Sequence, residues 1–190
     1  ALEDKDPEVV RIAILALSRA TVPAAREPIR KLLYSPSEMI VLSAIRSLVE
    51  LGSPEILDEL KTLFERTDSH RVRATIASAF GDLECDGSLD FLRQCLTAPD
   101  ARVRANAVMA LKKKHEKLGS LPADIIERIG EMKKDGDHRV QADCVQALWI
   151  MGQSENISDI ETMLVSGSEM SRSSGAYLCG KLRLFQLRKQ

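Results

Sequence analysis

Aromatic side chains are scarce: they make up 4% of the 190 residues, whereas hydrophobic residues reach 44%. A core drawn from that supply consists of Leu, Ile, Val and Ala, which suits closely packed helices better than a β-sandwich or barrel. Charge of one sign is also lacking, since the formal net charge is −1. Such a chain has no overall positive field of the kind that non-specific nucleic-acid binding needs, so any basic surface has to be local. No apolar run reaches the ~18 residues of a membrane-spanning helix, and no charged segment followed by an apolar stretch opens the chain. Direct membrane insertion is therefore not expected, and no targeting signal is visible. The four cysteines, Cys85, Cys95, Cys144 and Cys179, fall in no CxxC or CxxH spacing. They read as reduced thiols of a cytoplasmic protein, not as a zinc site or a disulfide framework. The first residue is Ala and not Met, and the sequence reads as a piece of a longer protein.

What the chain does have is one phrase repeated. The stretch DARVRANAVMALKK, Asp100 to Lys113, returns as DPEVVRIAILAL, SEMIVLSAIRSL, SHRVRATIASAF and DHRVQADCVQAL. The matching first positions are Asp6, Ser37, Ser69, Asp100, Asp137 and, more weakly, Ser168, at intervals of 31, 32, 31, 37 and 31 residues. Three residues on stand Val9, Ile40, Val72, Val103 and Val140; Ser171 breaks the pattern in the last copy. Further along come Ala13, Ala44, Ile76, Ala107 and Cys144, then Leu17, Leu48, Phe80, Leu111 and Leu148. This spacing predicts an amphipathic helix with an Asp or Ser cap in each copy.

A second series keeps step with the first. Twelve residues after Leu17, Leu48, Phe80 and Leu148 stand Ile29, Leu60, Leu92 and Ile160, whereas Leu111 to Ile129 is eighteen. Six residues have been inserted around Lys112 to Pro122, and they should lengthen a helix end or a loop. Gly and Pro mark the joins. Two helices in a period near 31 residues indicate an α-solenoid, in which no unit buries its apolar face without its neighbours. The fold class expected is all-α, a superhelix of helix pairs with about eleven helices. A second helix at 6–20 opens the array, followed by repeats at about 21–51, 52–85, 86–118, 119–152 and 153–190.

The phrase Asp100, Val103, Arg104, Ala107, Leu111 resembles the HEAT repeat, and the short period resembles the HEAT-like units of phycobilisome-lyase-type proteins. The resemblance covers essentially the whole chain. It implies that the phrase-bearing helix is the second of its pair and lines a concave side, with first helices near 23–33, 54–66, 88–97, 122–134 and 154–165.

Candidate binding residues follow from the frame. His70, Arg71 and Arg73, then Arg102 and Arg104, then His138 and Arg139 occupy the same edge of three successive copies, where a basic strip would attract an acidic protein segment or phosphate. Arg73 and Arg104 are also placed to bridge to the Asp of an adjacent unit. The distribution of charge supports a local basic surface: residues 1–95 carry 16 acids and 12 bases, residues 96–190 carry 12 acids and 15 bases. Asn106, Met109 and Gln146 are expected to face away from the buried stripe in a mixed polar groove. Ile12 and Leu15, with Leu42, are expected to form an apolar patch that a partner or a preceding repeat covers. Ser166 to Gly175 is expected to weaken the last helix or form a mobile turn.

Chemistry has little to stand on. His70, His115 and His138 have no Cys at ligand spacing, and no nucleophile elbow, GxGxxG or GxxxxGK[ST] frame occurs. The function expected is a non-catalytic protein–protein interaction scaffold without a cofactor or metal. Its partner would be a protein, or another domain of the same polypeptide, held on the concave surface or the basic repeat edge. The alternatives are a nucleic-acid-binding HEAT-like module and an accessory subunit of a bilin-lyase-like enzyme.

Overall fold

The apolar series and the caps fix where helices begin. The computed structural model describes residues 1–52, 56–84, 86–153 and 157–184; Cys85 and the expected helix starts at 54–55 and 154–156 lie outside the described residues. Among the described residues there are eleven α-helices and no strand. The phrase-bearing helices are α1 (Pro7–Arg19), α3 (Glu38–Glu50), α5 (His70–Asp82), α7 (Ala101–Leu118), α9 (His138–Ile150) and α11 (Glu169–Lys181). Between them come α2 (Arg26–Lys31), α4 (Leu57–Arg66), α6 (Ser88–Cys95), α8 (Ala123–Glu131) and α10 (Ile157–Leu164). Short 3-10 turns flank α2 at Pro23–Ala25 and Leu32–Tyr34, and another follows α8 at Met132–Lys134.

The predicted caps form in five of six copies. Asp6, Ser69, Asp100, Asp137 and Ser168 each accept a backbone N–H from the first turn with their side chains. Ser37 sits at the equivalent place without such a bond. Each bond satisfies an otherwise orphaned amide, and its loss costs about 1 kcal/mol. The insertion is taken up as helix: α7 has 18 residues where α3, α5 and α9 have 13. Gly119 ends it with φ +79, a left-handed position that glycine adopts without a Cβ clash.

The chain folds as two compact units, 1–88 and 89–190. In the first, α1 packs on α3 and α3 on α5, with α2 and α4 each against its phrase-bearing partner. Ile14, Ile29, Ile45, Leu48, Leu60, Ile76 and Phe80 are fully enclosed there. In the second, α7 packs on α9 and α9 on α11, with α8 and α10 behind them. Leu92, Leu111, Ile125, Ile129, Val140 and Ile160 are fully enclosed in that unit. Burying each such side chain stabilises by about 1.5–3 kcal/mol. The first-helix series and the phrase-bearing series of α3, α5, α7 and α9 are thus core positions, whereas Ala13 and Leu17 of α1 are only half-buried.

Two segments depart from the simple pattern. Val9 is 39% exposed although its counterparts Ile40, Val72, Val103 and Val140 are buried. The cause is that α1 buries Val10, Ile14 and Ser18 against its neighbour and leaves the flank with Val9 and Ile12 outside that seam. Residues Ser166 to Gly175, expected to loosen the last helix, instead build its start: Ser168 caps it and residues from Glu169 on are helical. Small size explains this. A Cβ on Gly175 would stand 3.1 Å from Met163 Cβ and 3.2 Å from the Leu164 backbone nitrogen, so glycine lets α11 lie directly on α10.

Ala44, Ala107 and Cys144 are completely enclosed. Ala107→Leu is expected to overpack the contact of α7 with its neighbours and to destabilise the chain by about 1–3 kcal/mol, read as a lowered urea midpoint.

Candidate functional site

In the first unit the cations of the predicted edge are mostly engaged. Arg71 donates to Glu38 at 3.0 Å, reaching the preceding phrase-bearing helix, and the same carboxylate accepts the Ser69 hydroxyl. Arg73 turns inward: its Nε donates to the Phe64 carbonyl at 3.1 Å and its guanidinium lies over the Phe64 ring at 5.9 Å. That placement combines a hydrogen bond with a cation–π contact, so Arg73 braces α5 on α4. His70 is exposed at the start of α5. Of the expected apolar patch, Ile12 is 54% exposed and Leu15 half-buried, but Leu42 is only 6% exposed because α3 is covered on both sides by α1 and α5.

In the second unit Arg104 belongs to the framework. It forms a two-point pair with Asp135 at 2.8 and 2.7 Å and donates to the carbonyls of Ala98 and Pro99. Burial pushes the Asp135 carboxyl upward, but hydrogen bonds from Arg104 and the Asp137 amide outweigh this and hold it below the usual carboxylate range. Arg102 points outward, and among the described residues its guanidinium has no partner. Arg139 Nη2 donates to Asn106 Oδ1 at 3.1 Å, across the seam between α7 and α9. Asn106 follows Arg102 by one helical turn and therefore shares its face. Arg102, Asn106 and Arg139 thus form one polar row. His138 closes the far end, its Nδ1 2.8 Å from Ser174 Oγ of α11.

Below this row lies Asp143, with a side chain 15% exposed. Its Oδ2 is buried and makes no hydrogen bond among the described residues; Arg139 Nε is 3.7 Å away, too far for one. Burial raises the carboxyl from the usual 3.8 to about 6, an effect that Arg139 and Lys112 only partly oppose. Met109 is half-buried beside Asn106 on α7, while Gln146, expected in an open groove, is 2% exposed. The groove is narrower than the frame implied, because α9 is packed by α7 on one side and α11 on the other.

Two further arrangements complete the polar inventory. Arg30 pairs with Glu59, Arg93 with Asp124 and Lys133 with Asp159, each reaching about one repeat ahead along the first-helix series of its own unit. These ties escaped the sequence reading, although the Glu27–Arg30 and Asp90–Arg93 spacing, with a carboxylate about one period on, carried the signal. Cys95, Cys144 and Cys179 are free thiols; burial pushes Cys95 up to about 12 and Cys144 higher still, which makes both poor nucleophiles. Among the described residues no three His, Cys, Asp or Glu side chains are grouped to hold a metal, and no helix is long and apolar enough to cross a membrane.

Helix pairs in a period near 31, with an Asp or Ser cap before Val–Arg and a ladder of ion pairs between successive repeats, define a HEAT-type repeat scaffold. The profile of HEAT repeats matches residues 1–81 and again 57–148, and the chain belongs to that family. Solved structures similar to it include a designed armadillo repeat protein, at 15% identity over 95% of this chain and 96% of that one with a TM-score of 0.47. Another is a computationally designed armadillo repeat protein for modular peptide recognition, at 15% identity over 94% and 95% of the two chains with a TM-score of 0.49. No curated protein matches the sequence.

The Asp143 carboxyl carries its proton more readily folded than unfolded. Stability is therefore lost as pH rises from 3.8 to about 6, by roughly 3 kcal/mol for a shift of about two units, and the penalty is constant above. Asp143→Asn is expected to unfold at higher denaturant than the parent at neutral pH and at nearly the same denaturant near pH 4, which paired urea titrations measure. Arg104→Ala should destabilise at neutral pH by about 1.5–3 kcal/mol through loss of charged hydrogen bonds.

Proposed function

We propose that the chain is a non-catalytic protein-binding scaffold whose second unit captures an acidic segment, from a partner protein or from another domain of the same polypeptide. The HEAT-type repeat fold is typical of protein-binding modules and usually non-catalytic. The observation that carries the finer reading is the row on α7 and α9: Arg102 has an uncommitted guanidinium, and Arg139 is held beside it through Asn106. Both arginines stand in the first turn of a helix, where backbone N–H groups add to the positive potential, although Asp100 and Asp137 offset part of it as caps. The excess of bases over acids in residues 96–190 acts in the same direction.

Arg71, Arg73 and Arg104 serve the framework in this reading, and binding falls to Arg102 and Arg139, with Asn106 and Met109 at the floor. Free thiols at Cys95, Cys144 and Cys179 support a reducing, cytoplasmic setting. An arginine pair of this kind attracts carboxylates at long range and holds them by paired hydrogen bonds at contact.

Binding of a fluorescent glutamate-rich peptide, followed by anisotropy at rising salt, tests the proposal. The expected outcome is affinity that falls steeply with salt and drops about tenfold in Arg102→Ala and again in Arg139→Ala. Peptide binding unchanged in both variants, or a preference for an oligonucleotide of equal charge, refutes it.

A further inference from the structure

An acidic segment lying on Arg102 and Arg139 comes to rest over a carboxyl that the fold leaves without a hydrogen bond. We propose that capture of the acidic segment is coupled to uptake of one proton from solvent by Asp143, so that the α7–α9 face grips its partner more tightly at mildly acidic pH. This rests on the binding reading above and adds its regulation.

The geometry carries the argument. Asp143 stands one turn after Arg139 on α9, and the separation of 3.7 Å from Nε to Oδ2 means that the arginine has been drawn to Asn106 instead of closing on the acid. A carboxylate in the ligand then competes with Asp143 for the same guanidinium. When the ligand takes Arg139, the buried carboxylate loses its nearest counter-charge and gains a like charge above it, and both changes favour its neutral form. The group is already poised, since its carboxyl titrates at about 6 in the free protein.

The other charges acting on Asp143 are few. Asp137, at the cap of its own helix, raises its affinity for a proton, and Lys112 of α7 lowers it while lying 3.7 Å from Glu116. On the α8 side Arg128 is paired with Glu131 and Lys133 with Asp159, and on α11 Arg172 is tied to the carbonyls of Ser166 and Gly167. Arg128, Lys133 and Arg172 are thus engaged with other groups, and Lys112 is left as a weaker counter-charge than Arg139. His138, in the same first turn as Arg139, is the imidazole of this row and a second place where a proton could be taken up, and the test has to separate the two.

Calorimetry of the full chain with a glutamate-rich peptide, in two buffers of different ionisation enthalpy at about pH 6.5, reads the proton directly. Net uptake is expected for the parent chain, with uptake abolished in Asp143→Asn and retained in His138→Gln. Asp143→Asn is also expected to bind the peptide more tightly than the parent at about pH 7.5 and equally at about pH 5.5. Uptake that persists in Asp143→Asn and vanishes in His138→Gln overturns the assignment, as does peptide binding by the parent without any uptake. Failure of the parent to bind the peptide at all refutes the acidic-segment reading and this inference with it.

Discussion

Within each compact unit a phrase-bearing helix buries its apolar stripe against its neighbour, and several of the enclosed positions are held by small residues. Ala44, Ala107 and Cys144 are fully enclosed at one frame position, where α5 carries Ile76, and a Cβ on Gly175 would crowd Met163 and Leu164 of α10. Close approach brings Val, Ile and Leu of neighbouring helices into contact without aromatic bulk, so a chain with 4% aromatics has an extensive core. Stability in a repeat array is a sum of contacts between neighbours, which leaves each repeat dependent on the adjoining one for its cover. The flank of α1 with Val9 and Ile12 shows what a phrase-bearing helix looks like where that cover is lacking among the described residues.

The same neighbour-to-neighbour logic governs the charges. Arg30, Arg93, Arg104 and Lys133 all reach about one repeat ahead to a carboxylate, and Arg71 reaches one repeat back to Glu38. A basic residue at the edge of a repeat is therefore first a fastener. Arg104, 18% exposed and bonded on three sides, contributes to register; Arg102, two positions earlier, points out of the seam and stays available. The difference between a fastener and a binding residue lies in the direction of the side chain, not in its type.

This explains what was legible in the sequence. The core was readable because helical periodicity and repeat period coincide: Ile29, Leu60, Leu92, Ile129 and Ile160 all fall where the frame put them, and all are fully buried. The caps were readable because Asp and Ser accept first-turn amides wherever a helix starts. Asn106 was expected in the mixed groove and Arg139 on the basic edge; the hydrogen bond that joins them depends on the distance between α7 and α9, which no single helix encodes. Gln146 was misplaced for a related reason: the frame describes one helix against one neighbour, and α9 has helices on both flanks. Asp143 was not singled out as a candidate residue, because its burial is a property of the seam. In the Ser-rich stretch, composition argued against order, whereas the decisive facts were a cap at Ser168 and the absence of a side chain at Gly175.

The 18-residue α7 has a further meaning. It exceeds its 13-residue counterparts by about 7–8 Å of helix, yet Ile129 beyond it is as fully buried as Leu92 before it. The added turn and a half has thus been accommodated without disturbing the register of either flank. The join between α7 and α8 is where this architecture tolerates a change of length, and it is the natural splice point for a reporter or a foreign loop carried by an otherwise unaltered stack.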